Sequence, residues 1–164
     1  IYQMRMANVN VHRVNRLEDI EDAGQQQDVR SLVGAIVLPI VAEIDNAEGG
    51  QHYIRFMAQA IGHPQLDLAE LWQQENSGGL AKALQLLRKA IPHVPDPIFG
   101  QRFGLAFEQI IHSLADREKL RQSSRSSFEI DSAVFVNNLI DTIAGGMSAS
   151  VSQATYDSLE QAQK

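Results

Sequence analysis

Apolar residues recur at spacings of three and four along most of this chain, with no long run of strict apolar–polar alternation. That period belongs to amphipathic helices rather than to strands. Gly24, Gly49-Gly50, Gly62-His63-Pro64, Gly78-Gly79 and the stretch from Pro92 to Pro97 cut the pattern into segments. The spacing predicts an all-α multi-helix bundle of six or seven helices, folded as a single domain over 1–164. No internal repeat at a fixed period is visible.

The first segment, about 1–23, carries Met4, Ala7, Val11, Val14 and Leu17 along one stripe. Gly24 ends it, and Asp28 is placed to cap the next helix. That helix, 28–46, is apolar nearly all round from Leu32 to Ile44, as central helices are. Pro39 lies inside it, removes one backbone hydrogen bond and is expected to bend it. A third segment, 50–61, is expected to bury Tyr53, Phe56, Met57 and Ala60, and a short piece follows near Leu66 to Trp72. Leu80, Leu84, Leu87 and Ile91 then form one stripe.

Asp96 and Pro97 suit the start of a long helix, 97–123, with two apolar faces. Phe99, Phe103, Phe107, Ile110 and Leu114 make one face. Gly100, Gly104, Ile111 and Ala115, interrupted by Glu108, make the other, so two packing partners are expected. The last clear helix, 130–147, gathers Phe135, Val136, Leu139, Ile143, Gly146 and Met147 on one side. Residues 148–164 read as a short terminal helix or a frayed end.

Composition narrows the class. The chain has 164 residues, 44% hydrophobic, with a formal net charge of −6. Such a balance excludes a disordered chain. The most apolar run, Leu32 to Ile44, is shorter than the roughly 20 residues that span a bilayer. The acidity gives this chain no general electrostatic attraction to nucleic acid or anionic lipid. With no cysteine, thiolate chemistry and disulfides are absent. A cytoplasmic origin fits, and no secretory signal is seen. The chain opens at Ile1, in mid-helix pattern, and is read as a fragment or a trimmed chain.

The sequence carries little that points to reactive chemistry. Gly100-x-x-x-Gly104 lacks the Lys-Ser/Thr of a phosphate loop and reads as close helix packing. Glu108 and His112, four apart, read as a surface or interface pair rather than metal ligands. The serines of 123–127 and 148–152 have no accompanying elbow motif. We expect no catalytic residues, no metal and no cofactor. Tyr53, Phe56, Met57, Trp72, Phe103 and Phe107 are concentrated mid-chain. They read either as core or as the lining of a pocket for a hydrophobic small molecule.

The order of segments, with four short stretches, resembles the C-terminal effector-binding and dimerisation domain of TetR/AcrR-family transcriptional regulators. Met6-Ala7-Asn8-Val9-Asn10-Val11-His12-Arg13-Val14-Asn15-Arg16-Leu17 resembles the helix that leads in from the DNA-binding domain. Leu32-Val33-Gly34-Ala35-Ile36-Val37-Leu38-Pro39 is similar to a proline-containing helix of many members. Gln51-His52-Tyr53-Ile54-Arg55-Phe56 resembles the next helix. The segment Arg102-Phe103-Gly104-Leu105-Ala106-Phe107 to His112-Ser113-Leu114-Ala115-Asp116-Arg117 resembles the penultimate long helix, and Phe135 to Met147 the last. The helix-turn-helix domain that defines the family would lie upstream of Ile1.

The resemblance implies a homodimer whose last two long helices pair across a twofold axis as a four-helix bundle. It implies interface positions at Gly104, Glu108, Ile111, Ala115, Phe135, Leu139 and Ile143. It implies a hydrophobic effector among Tyr53, Phe56, Met57, Trp72, Leu84, Leu87, Phe103 and Phe107; Arg102, Glu108 and His112 are candidate polar contacts that read first as structural. It also implies that DNA is bound only through the absent domain. The competing reading is a helical protein–protein interaction domain with a packed core and no ligand.

Overall fold

A computed structural model describes residues 2–46, 48–61, 78–122 and 131–162. Seven helices are present among them: α1 (Tyr2–Asp22), α2 (Val29–Asn46), α3 (Gly50–Ile61), α4 (Gly79–Ala90), α5 (Asp96–Gln122), α6 (Ser132–Ser148) and α7 (Gln153–Ala162). The fold is all-α, and no strand occurs among the described residues. The segment expected near Leu66 to Trp72 lies outside them.

The most apolar helix is the hub. α2 packs against α1, α3, α4 and α6, while α5 lies against α3 and α6. Leu32, Val33, Ala35, Ile36, Val37, Ile40 and Ile44 are all buried, on every side of α2. Pro39 is buried within the helix, which runs on past it to Asn46.

The ends of the helices follow from local chemistry. Gly24 has φ +68°, a left-handed conformation that other residues rarely adopt. Its N–H donates to Glu21 O, and that of Gln25 to Ile20 O, a Schellman closure of α1. Asp28 caps α2 by accepting from Arg30 N at 3.0 Å and from the Ser31 hydroxyl at 2.6 Å. The Ser31 hydroxyl is the main cause that holds the Asp28 carboxyl below its ordinary pKa. Asp131 caps α6 in the same manner, accepting from Ala133 N and Val134 N. Asp96 opens α5 rather than preceding it; its carboxylate accepts from Arg88 Nε at 2.7 Å. The same arginine holds Ile91 O and lies over the Phe99 ring, which fixes the proline-rich link.

Two seams are close. At Gly50 an added Cβ would stand 2.5 Å from the Glu43 and Ile44 carbonyl oxygens. At Gly79 it would stand 2.9 Å from Arg13 Cβ and Asn10 O. The α2–α3 junction and the α1–α4 contact both require a bare backbone.

α1 faces inward with a stripe other than the expected one. Val9, Arg13 and Leu17 are buried, with Met6 and Ile20 packed beside them. Met4 and Val11 are exposed. Arg13 counts as polar in any pattern, yet its stem lies in the core and its Nη1 donates to Asn10 Oδ1. The tail forms α7, with Val151 and Leu159 packed against the core.

Candidate functional site

Leu87, Phe103 and Phe107 meet at an apolar cleft between α2, α4, α5 and α6. Val33, Ile36, Ala106, Ile110, Ile143 and Met147 complete its walls. Its volume is about 10 Å³, no more than one water needs. The cleft is therefore closed, and apolar side chains fill the space between the helices.

The other expected pocket residues lie elsewhere. Tyr53 and Met57 are buried on α3 but do not line the cleft. The Tyr53 hydroxyl donates to Met6 Sδ, which ties α3 to α1. Phe56 is 53% exposed. Leu84 is half-buried at the edge of the core. Trp72 lies outside the described residues. Ile54, on the turn next to Tyr53, takes the core position expected of Phe56 and is 0% exposed.

The outer face of α5 and α6 has a different character. A hollow of about 140 Å³ lies between Arg102, Leu105, Gln109, Thr142 and Gly146, with Ala106, Ile143 and Met147 at its base. Those last three residues also line the inner cleft, so a single layer of side chains separates the two spaces. Leu105 stands 67% exposed at the rim. Gly100, Gly104, Gly145 and Gly146 have no described residue within 4 Å of an added Cβ.

The residues proposed for a subunit contact divide into two groups. Glu108 is exposed, and Gly104, Ala115 and Phe135 are half-buried, so all four retain surface. Ile111, Leu139 and Ile143 are buried inside the single chain. Their side chains already pack on this chain's own helices, because α5 turns its Ile110, Ile111 and Leu114 inward together.

The polar groups hold helices in place. Arg102 donates to Met147 O at 3.1 Å and Ala149 O at 2.5 Å, satisfying carbonyls that end α6. Arg117, 5% exposed, reaches Asp45 at 2.7 Å, Glu118 Oε1 at 3.1 Å and the Ser132 hydroxyl at 3.3 Å. Arg121 joins the same two carboxylates, which raise its pKa, Glu118 most strongly. This cluster pins the end of α2 to α5 and α6. Arg5 and Glu43, at 2.7 Å, pin α1 to α2. Glu108 and His112 are exposed. Among the described residues no three His, Asp or Glu side chains converge as a metal site needs.

The arrangement defines a class: a helical domain around one apolar hub helix, with an apolar cleft inside and an open glycine-bearing face outside. A family model for tetracyclin repressor-like C-terminal domains matches residues 34–146, from within α2 almost to the end of α6. The chain belongs to that family, whose members are parts of transcription regulators. No curated protein and no solved structure gives a match. No described helix is long and apolar enough to cross a membrane.

Proposed function

We propose that this chain is the sensing and dimerising half of a cytoplasmic TetR-like regulator. A small hydrophobic effector enters the cleft at Leu87, Phe103 and Phe107. The observation that carries the reading is that the cleft and the outer hollow share Ala106, Ile143 and Met147 within the family-matched span. A ligand that spreads the cleft displaces the side chains that form the base of the outer face.

The mechanism is a population shift. The closed form has about 10 Å³ of space, so the effector binds an opened minor form, and its apparent affinity falls with that form's population. It switches the regulator only if it favours one spacing of the two DNA-reading domains over the other. A coupling of about 1–3 kcal/mol changes DNA affinity 5- to 150-fold. α1, which the resemblance places next to the DNA-binding domain, carries the shift, and a second copy on the α5–α6 face sets the spacing.

The closed cleft equally favours one other reading, a packed interaction domain without a ligand. Native mass spectrometry and thermal shift against apolar compounds separate the two. The sensing reading expects a retained apolar ligand and a raised Tm. It expects Phe103→Ala to cost less than about 3 kcal/mol and to abolish that shift. The packed-core reading expects no ligand and a cost of about 3–5 kcal/mol.

A further inference from the structure

A third hollow lies on the opposite side of α2. It has a volume of about 240 Å³ and is bounded by α1, α2 and α6. Ser31, Gly34, Ala35 and Leu38 face it, whereas Val33 and Ile36 face the inner cleft. At about 100° per residue the two sets lie on opposing faces of the helix, so the hollow and the cleft are separate sites. Its floor is apolar, from Ile20, Ala35, Leu38 and Ile140. Its rim carries Arg16 and Asp19, one helical turn apart on α1.

Two features of the hollow lack an internal explanation. Gly34 sits mid-helix, where glycine costs about 0.5–1 kcal/mol relative to alanine. Among the described residues a Cβ there would meet only Leu38 Cδ1, at an ordinary 3.8 Å. The chain does not need the bare backbone for packing, and the missing side chain leaves space in the hollow. The two charges are the second feature. Arg30, on the same rim, is held by Asp141 at 2.6 Å and Asn137 at 3.0 Å. Arg16 and Asp19 make no side-chain hydrogen bond or ion pair among the described residues. A cation and a carboxylate thus stand open over an apolar floor.

We propose that this hollow binds a small zwitterion with an aliphatic side chain, such as a branched-chain α-amino acid. Its carboxylate meets Arg16, its ammonium meets Asp19, and its side chain lies on Ile20, Leu38 and Ile140 beside Gly34. A plain carboxylate engages Arg16 alone and a plain amine Asp19 alone, both residues being exposed. The zwitterion satisfies both.

Isothermal titration of the 164-residue chain tests this, with L-leucine, 4-methylpentanoate and 3-methylbutylamine as probes. Leucine is expected to bind one per chain, and each single-charge analogue at least about tenfold more weakly. Arg16→Met is expected to weaken leucine about tenfold. Asp19→Asn should weaken leucine and tighten 4-methylpentanoate. Gly34→Val should fill the hollow and abolish binding while circular dichroism stays that of the native chain. Absence of leucine binding at millimolar concentration overturns the proposal. Binding unchanged in Arg16→Met and Asp19→Asn, or 4-methylpentanoate binding as tightly as leucine to the native chain, overturns it as well.

Discussion

The inner seams and the outer α5–α6 face use glycine in opposite ways. At Gly50 and Gly79 backbone or side-chain atoms stand 2.5–2.9 Å from where a Cβ would sit. At Gly100, Gly104, Gly145 and Gly146 nothing among the described residues lies within 4 Å. A helical glycine is destabilising by up to about 1 kcal/mol relative to alanine. On the inside, close approach of helices in the same chain offsets that. On the outside, four such positions on α5 and α6 have no offset among the described residues. In our account a second copy supplies it.

The inner contacts carry the largest expected effects. Arg117→Met removes the buried cation from Asp45 and Glu118 and leaves them only the exposed Arg121. We expect a loss of about 3–5 kcal/mol in urea unfolding. A loss below 1 kcal/mol would mean that the cluster does not pin α2 to α5. Gly50→Ala drives a methyl against two carbonyl oxygens. About 3 kcal/mol should be lost, at the upper end of overpacking effects because backbone must move. A neutral result would show that the α2–α3 junction has slack.

The cap of the hub helix gives a smaller, pH-dependent effect. Asp28→Ala should cost about 1 kcal/mol at neutral pH. The Asp28 carboxyl has its pKa lowered in the fold. Its contribution is therefore complete above the ordinary carboxyl value and lost as pH falls through the lowered one. Native and variant stabilities should converge in acid; a constant gap down to pH 2 would contradict the cap.

The smallest effect in the single chain is the sharpest test of the outer face. Gly104→Ala and Gly145→Ala should each raise the unfolding free energy at high dilution by about 0.5–1 kcal/mol. The same substitutions should weaken self-association, as read by sedimentation. Stabilisation with unchanged association would place the contact elsewhere.

Much of this was legible in the sequence. Gly24, Asp28 and Gly49-Gly50 mark their boundaries because they act through local backbone chemistry. The hub helix was clear because it is apolar on all sides, and the Phe99, Phe103, Ile110 and Leu114 face is buried as expected. The rotation of a helix about its axis was harder. On α3 the pattern allows either Phe56 or Ile54 inward, and tertiary packing selects Ile54. On α1 the buried stripe runs through Arg13, which a polarity pattern counts against the core. On α5 the Ile111 of the glycine-bearing face turns into the chain's own core. The Arg117 cluster joins positions 72 apart, a separation that leaves no periodic trace.

The most direct test of the central claim is the mass of this chain in solution. Light scattering at micromolar concentration should return about twice the 18.2 kDa of the single chain. A mass of one chain at that concentration would contradict the pairing of the α5–α6 faces.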